Sequence, residues 1–159
     1  MSDIQIYADP ARSIGYLTRI AFRAFSRALE VRTAPHGVSS GQWRFLRVLW
    51  REEGLTQREL SRRVGMREPT TVIALKSLER SGFVTRTKSV EDRRKVHVFL
   101  TPRAKTLEAE LLPAVAEVNR IALEGLTPAE VDVLRKALVQ VGRNLAADVR
   151  EDVPTDSAA

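Results

Sequence analysis

The sequence contains no cysteine. That single absence excludes a disulfide framework, a cysteine-ligated metal site, thiol catalysis and thiol redox sensing. Histidine is almost as scarce: His36 sits between Pro35 and Gly37 in a linker, and His97 lies on an alternating apolar–polar stretch. Neither belongs to a nucleophile, metal or phosphate-loop motif, so no enzyme activity, cofactor or metal is expected. No apolar stretch reaches the about 18 residues that cross a bilayer, and no membrane partner is expected. The opening MSDIQIYADP has neither a basic stretch nor an apolar one, so a secretory signal is not expected and the cytoplasm is the expected compartment. What is present suffices for one domain: 159 residues, 43% of them apolar, enough to bury a core.

Charge is unevenly placed. The net charge is +6, but residues 56–105 alone carry 13 basic and 5 acidic side chains, whereas residues 106–159 carry 5 and 10. A basic segment concentrated in the middle third is the electrostatic footprint of a polyanion-binding face. A solvated arginine-rich surface would look the same on charge alone.

Periodicity divides the chain. Ile14, Leu17, Ala21, Phe25 and Ala28 recur at steps of three and four, predicting one long helix from Ile14 to about Thr33, ended by Pro35 and Gly37. Ser39 and Gln42 have capping-box spacing before a second apolar helix containing Trp43, Phe45, Leu46, Leu49 and Trp50. Thr56 and Glu59 repeat that spacing before a short helix broken at Gly65. Pro69 suits the first turn of the next helix, which Gly82 closes. Two short helices around a glycine-containing turn are a helix-turn-helix candidate.

After Gly82 the period becomes two. Residues 83–88 and 95–100 read as a two-stranded hairpin whose charged link, Ser89–Arg94, projects as a loop. A helix starting at Thr101-Pro102 follows, with Pro113 expected to kink or interrupt it. Thr127 to Glu130 caps a last helix carrying Val131, Leu134, Leu138, Val141 and Leu145, the seam of a helix that packs lengthwise on others. The tail from residue 152 is small, polar and expected to be disordered. The fold class is therefore mostly α (α+β), a winged helix-turn-helix at 39–101 flanked by dimerisation helices at 1–38 and 102–151. One-sided apolar helices of this kind are covered by a two-fold homodimer.

On a helical wheel Thr71, Val72, Leu75 and Leu78 face the core. Opposite lie Pro69, Thr70, Ile73, Ser77 and Arg80, with Lys76 at the edge and Arg67 just ahead of the helix. Such a small, hydroxylic, basic face suits a major groove, where hydroxyls bond phosphates or bases and a methyl-bearing side chain meets thymine. Ile73 has no reason to face water unless the helix phase is shifted to bury it. The hairpin adds Arg86, Lys88, Asp92, Arg93 and Arg94, either an arginine aimed by a carboxylate at a minor groove or an ordinary solvated run.

Asp92-Arg93-Arg94, followed six residues later by Leu100-Thr101, resembles the D-x-R and L-T pattern of the MarR family. Leu60 to Gly65 and Leu75 to Val84 are similar to that family's helix-turn-helix and strand entry, and Trp43 to Leu49 to its second helix. The resemblance covers roughly residues 14–148. It implies a homodimeric transcriptional regulator of double-stranded DNA, usually a repressor relieved by a small molecule. It also implies major-groove approach by Pro69, Thr70 and Ile73, and minor-groove entry by Arg94 oriented by Asp92. Ile73 departs from relatives that carry a base-reading arginine there, so operator preference does not transfer. The cysteine-based oxidant-sensing branch is excluded. Family pockets lie between the dimerisation helices and the DNA-binding lobe, making Tyr16, Arg19, Arg23, Trp43 and Trp50 candidates for an effector site. The aromatics are equally readable as core and the arginines as surface. An arginine beside aromatics suits an aromatic carboxylate. The alternative function is a non-specific architectural DNA binder without an effector.

Overall fold

The computed structural model describes residues 8–149. A 3-10 turn at Pro10–Arg12 leads into helix α1, Ile14–Thr33, whose N-terminus is capped by Ser13 Oγ accepting from the Tyr16 amide at 3.3 Å. A second 3-10 turn, Ala34–His36, ends at Gly37 with φ of 76°, the left-handed conformation that reverses the chain without steric cost. Thr33 clamps this reversal: its buried hydroxyl donates to the Val38 carbonyl at 2.7 Å.

Helix α2, Ser40–Arg51, begins with the full Ser39/Gln42 capping box and buries Trp43, Phe45, Leu46, Val48 and Leu49. Strand β1, Leu55–Thr56, passes directly into α3, Gln57–Val64, where Thr56 and Glu59 form the second capping box. Gly65 (φ 70°) turns the chain into α4, Glu68–Arg80, with Pro69 in the first turn. Strands β2, Val84–Lys88, and β3, Val96–Leu100, pair antiparallel from Val84↔Leu100 to Lys88↔Val96. The wing is a three-stranded sheet in the order β1-β3-β2, not the expected two-stranded hairpin. The added strand pairs Leu55 with Val98 and Thr56 with His97. Two residues carry no readable alternation, and only the partner strand makes them a strand.

Helix α5, Pro102–Ala122, runs unbroken through Pro113, correcting the expected interruption. The proline removes one ladder bond, and the carbonyl it deprives belongs to exposed Ala109, where water can satisfy it. Helix α6, Pro128–Val149, completes the described chain. The expected disordered tail lies outside the described residues.

The core sits in the helix-turn-helix and wing, with Leu46, Leu49, Leu60, Leu75, Leu78, Phe83 and Val98 fully enclosed; α5 adds Ala104, Leu107 and Leu111. The long flanking helices are different. Helix α6 buries no residue, and α1 buries only Thr33. Ile14, Leu17 and Ile20 on α1 and Leu134, Leu138 and Leu145 on α6 are 40–64% exposed. Among the described residues no helix is long and apolar enough to cross a membrane.

Candidate nucleic-acid interface

Helix α4 is anchored by one row and presents another. Thr71, Leu75 and Leu78 are completely buried, while Ile73, on the opposite side, is 68% exposed. The helical phase is therefore the one that turns Ile73 outward. Arg67, Pro69, Thr70, Lys76 and Arg80 share the exposed side. Val72, expected in the core, is half-buried at its edge. Ser77 departs from the expected outer face: it is half-buried and its hydroxyl accepts from Gln42 Nε2 at 3.3 Å. The same amide donates to Ser81 Oγ at 3.1 Å, and the Gln42 carbonyl oxygen accepts from the Ser39 amide. Gln42 thus spends one end on capping α2 and the other on holding the last turn of α4.

The wing loop is internally bonded. The Ser89 amide donates to the Lys95 carbonyl at 2.9 Å, and the Lys95 amide to the Asp92 carbonyl at 2.8 Å. One carboxylate oxygen of Asp92 accepts from both the Arg94 amide, at 3.0 Å, and Arg94 Nε, at 3.2 Å. These bonds, the amide first, hold the Asp92 carboxyl below its ordinary pKa. The Arg94 side chain nonetheless remains 92% exposed, steered but not covered. Lys88 and Arg93 are exposed beside it. Arg86 is not free: it is paired with Glu79 at 2.6 Å and its side chain is only 23% exposed, a correction to its expected availability for DNA.

Two cations that the sequence reading missed join this surface. Arg58 and Arg62, one turn apart on α3, line a groove of about 560 Å³ with Arg94, Lys95 and the start of α4. Their spacing of four on the polar face of α3 was a usable signal. What it lacked was the wing that folds opposite. Arg58 meets Glu68, the first residue of α4, at 3.6 Å.

A second cleft, of about 360 Å³, lies between α1, α2 and α5. Of the five residues expected around an effector, only Trp43 lines it. Trp50 instead meets Trp43 edge-on at 5.3 Å and donates Nε1 to the Ala104 carbonyl at 2.8 Å. Tyr16 is exposed with Arg19 stacked on its ring at 5.1 Å, and Arg23 is exposed. The cleft's cations are Arg44, over the Phe22 ring at 4.8 Å, and Arg47. Among the described residues no acidic side chain lines it. Both arginines flank Trp43 on α2, a local pattern overlooked because α2 reads first as a core helix.

Comparison with known proteins agrees with this geometry. The MarR family model matches residues 38–96, the helix-turn-helix and the start of β3. The chain is 37% identical over 91 residues to the HTH-type transcriptional regulator TtmR of Methylorubrum extorquens, a match covering 57% of this chain. It spans about half, 47%, of that relative's length. It is also similar to the solved transcriptional regulator PA3341, with 34% identity and a TM-score of 0.73 over 84% of this chain and 98% of that one. A MarR-family regulator from Listeria monocytogenes, solved in complex with 26mer DNA, has 25% identity and a TM-score of 0.73 over 88% and 91% of the two chains. These relatives are transcriptional regulators and not enzymes. The chain belongs to the MarR family of winged helix-turn-helix transcriptional regulators.

Proposed function

We propose that the chain is a homodimeric, sequence-specific DNA-binding repressor of a pseudo-palindromic operator, released by a small anionic aromatic ligand. The observation that carries the reading is the placement of Ile73. An isoleucine 68% exposed on a helix whose opposite row is fully buried suits apolar contact with a base, not phosphate attraction. Thr70, Lys76 and Arg80 share its exposed side on α4, Arg67 sits at the N-cap just ahead of them, and Pro69 lets the helix start closely against the groove. Arg94, aimed by Asp92, serves the adjacent minor groove. Arg58, Arg62, Lys88 and Arg93 supply phosphate contacts.

Dimerisation is supported by α1 and α6, whose apolar rows stay 40–64% exposed among the described residues. Residues 1–38 and 102–151 are assigned to that role and 39–101 to DNA. A dimer seated across an operator occludes any other protein from it, which makes repression the simplest output. The effector reading rests on the cleft of Phe22, Phe25, Trp43, Arg44 and Arg47: an aromatic floor with two cations and, among the described residues, no carboxylate suits an aromatic carboxylate.

Selection of duplexes from a random library, with sedimentation of the free protein, tests the reading. An inverted repeat with half-site centres about 10 bp apart is expected, bound by a dimer. Equal competition by random duplex would instead establish a non-specific architectural binder. A monomer of 17.8 kDa that binds tightly would remove the two-fold model.

A further inference from the structure

We propose that Arg86 is a positioning residue that sets the angle between the recognition helix and the wing, acting through Glu79 and Gln57 and not on DNA. The inference rests on the DNA-binding reading above. Three elements meet at this one guanidinium. Arg86 lies in the middle of β2, paired with Val98 of β3. Its Nη2 and Nε donate to Glu79 Oε2, in the last turn of α4, at 2.6 and 3.1 Å. Its Nη1 donates to Gln57 Oε1, at the first residue of α3, at 3.4 Å.

The contrast with the neighbouring cations gives the assignment its force. The Arg94 side chain is 92% exposed, whereas that of Arg86 is 23% exposed and three of its nitrogens are engaged inside the protein. A planar fork holds two partners at fixed angles, which a flexible ammonium does not. The mechanical need is plain. A five-residue strand is about 16 Å long, so a tilt of about 10° at its base moves the wing tip by about 3 Å, a whole hydrogen-bond length. Recognition helix and wing enter different grooves of one duplex, so such a tilt lets one dock only at the other's expense. Arg86 braces that tilt from the side where β2 leaves α4.

The pair also makes a sign prediction that charge counting reverses. Glu79 is a carboxylate beside a polyanion-binding face, so its removal should strengthen DNA binding if repulsion were its only effect. As the anchor of the brace, its removal weakens binding.

The test uses the full chain and the duplex that it enriches from a random library. Glu79→Ala, Arg86→Ala and the double variant are titrated from 50 to 200 mM salt. Each single variant is expected to weaken binding about tenfold, with the double variant no weaker than either, because both delete one charged hydrogen-bonded unit. The slope of log K against log salt stays at the wild-type value. Arg86→Lys keeps the charge yet shows most of the loss. A slope reduced by about one in Arg86→Ala, with tighter binding by Glu79→Ala, would make Arg86 a phosphate contact and overturn the proposal. Amide hydrogen exchange of the DNA-free protein separates this failure from failure of the functional reading. In Glu79→Ala, exchange should rise in Val84–Lys88 and the last turn of α4 but not in α5. Unchanged exchange there overturns the brace. A wild-type chain that enriches no sequence overturns the operator reading and leaves the exchange result to decide the brace.

Discussion

A single oxygen of Asp92 holds Arg94 at two points, its amide at 3.0 Å and its Nε at 3.2 Å. Holding backbone and guanidinium together fixes the direction in which an otherwise exposed arginine leaves the wing. Arg94→Ala is expected to weaken operator binding by about 1–3 kcal/mol, the usual worth of an arginine bonded to bases. Arg103→Ala, whose side chain donates to the Ser81 carbonyl and stacks on Phe83, should weaken it less. Asp92→Ala should also weaken binding although it removes a negative charge. Tighter binding by Asp92→Ala in a fluorescence-anisotropy titration would reduce the carboxylate to a repulsive charge.

The pH dependence of this hold has a definite sign. The Asp92 carboxyl titrates below its ordinary value because its ionised form accepts the Arg94 hydrogen bonds. A depressed acid contributes fully above its unperturbed pKa and loses its contribution only as pH falls through the lowered value. Operator affinity carried by this pair should therefore be flat from pH 8 down to the ordinary carboxylate range and decline only below it. Asp92→Asn should be pH-insensitive relative to wild type across the same titration. A wild-type decline already complete by pH 6, absent in Asp92→Asn, would contradict the assigned protonation.

Ile73 separates a reading residue from a core residue. Exposed as it is, Ile73→Ala should change stability by no more than about 0.5 kcal/mol. Affinity for the selected operator should fall, discrimination should relax at one position per half-site, and binding to random duplex with its salt slope should stay put. A thermal melt beside the titration decides the matter. A loss of about 2–5 kcal/mol, the range for a truncated buried isoleucine, would mean that the side chain is packed in solution.

Leu138, 48% exposed in the single chain, lies in the apolar seam of α6. In the proposed two-fold dimer Leu138→Glu would place a charge at that seam twice over, once per protomer. The dimer constant should weaken by about two orders of magnitude or more. Analytical ultracentrifugation should then show the 17.8 kDa monomer with operator binding lost. A Leu138→Glu protein that remains dimeric would move the interface elsewhere.

Arg44 and Arg47 provide the effector test. Against a panel of aromatic carboxylates, Arg47→Ala should weaken ligand binding by about ten- to a hundredfold, as expected for a lost charged hydrogen bond. Calorimetry on the wild type and the variant reads this directly. Equal affinities would remove Arg47 from the site, and a panel with no wild-type binder would remove this ligand class.

Helices α1 to α4, their two capping boxes and strands β2 and β3 were legible in the sequence because each rests on local rules. These are apolar steps of three and four, hydroxyl caps three residues ahead of Gln42 and Glu59, and glycines where φ turns positive. The outward placement of Ile73 was legible for the same reason, since one helix's phase is set by its own buried row. Tertiary structure alone decided the rest. Strand β1 exists only because β3 lies beside it. Arg86 reads like any wing cation until Glu79 and Gln57, seven and twenty-nine positions away, close on it. Ser77 reads as an outward hydroxyl until Gln42, thirty-five positions away, claims it. The cleft's arginines belong to α2 and not α1, because the packing of α1 against α2 and α5 sets which face is walled in. The period of a side chain along its own element is written in the sequence, but its partner across a fold depends on distances between elements that no local pattern encodes.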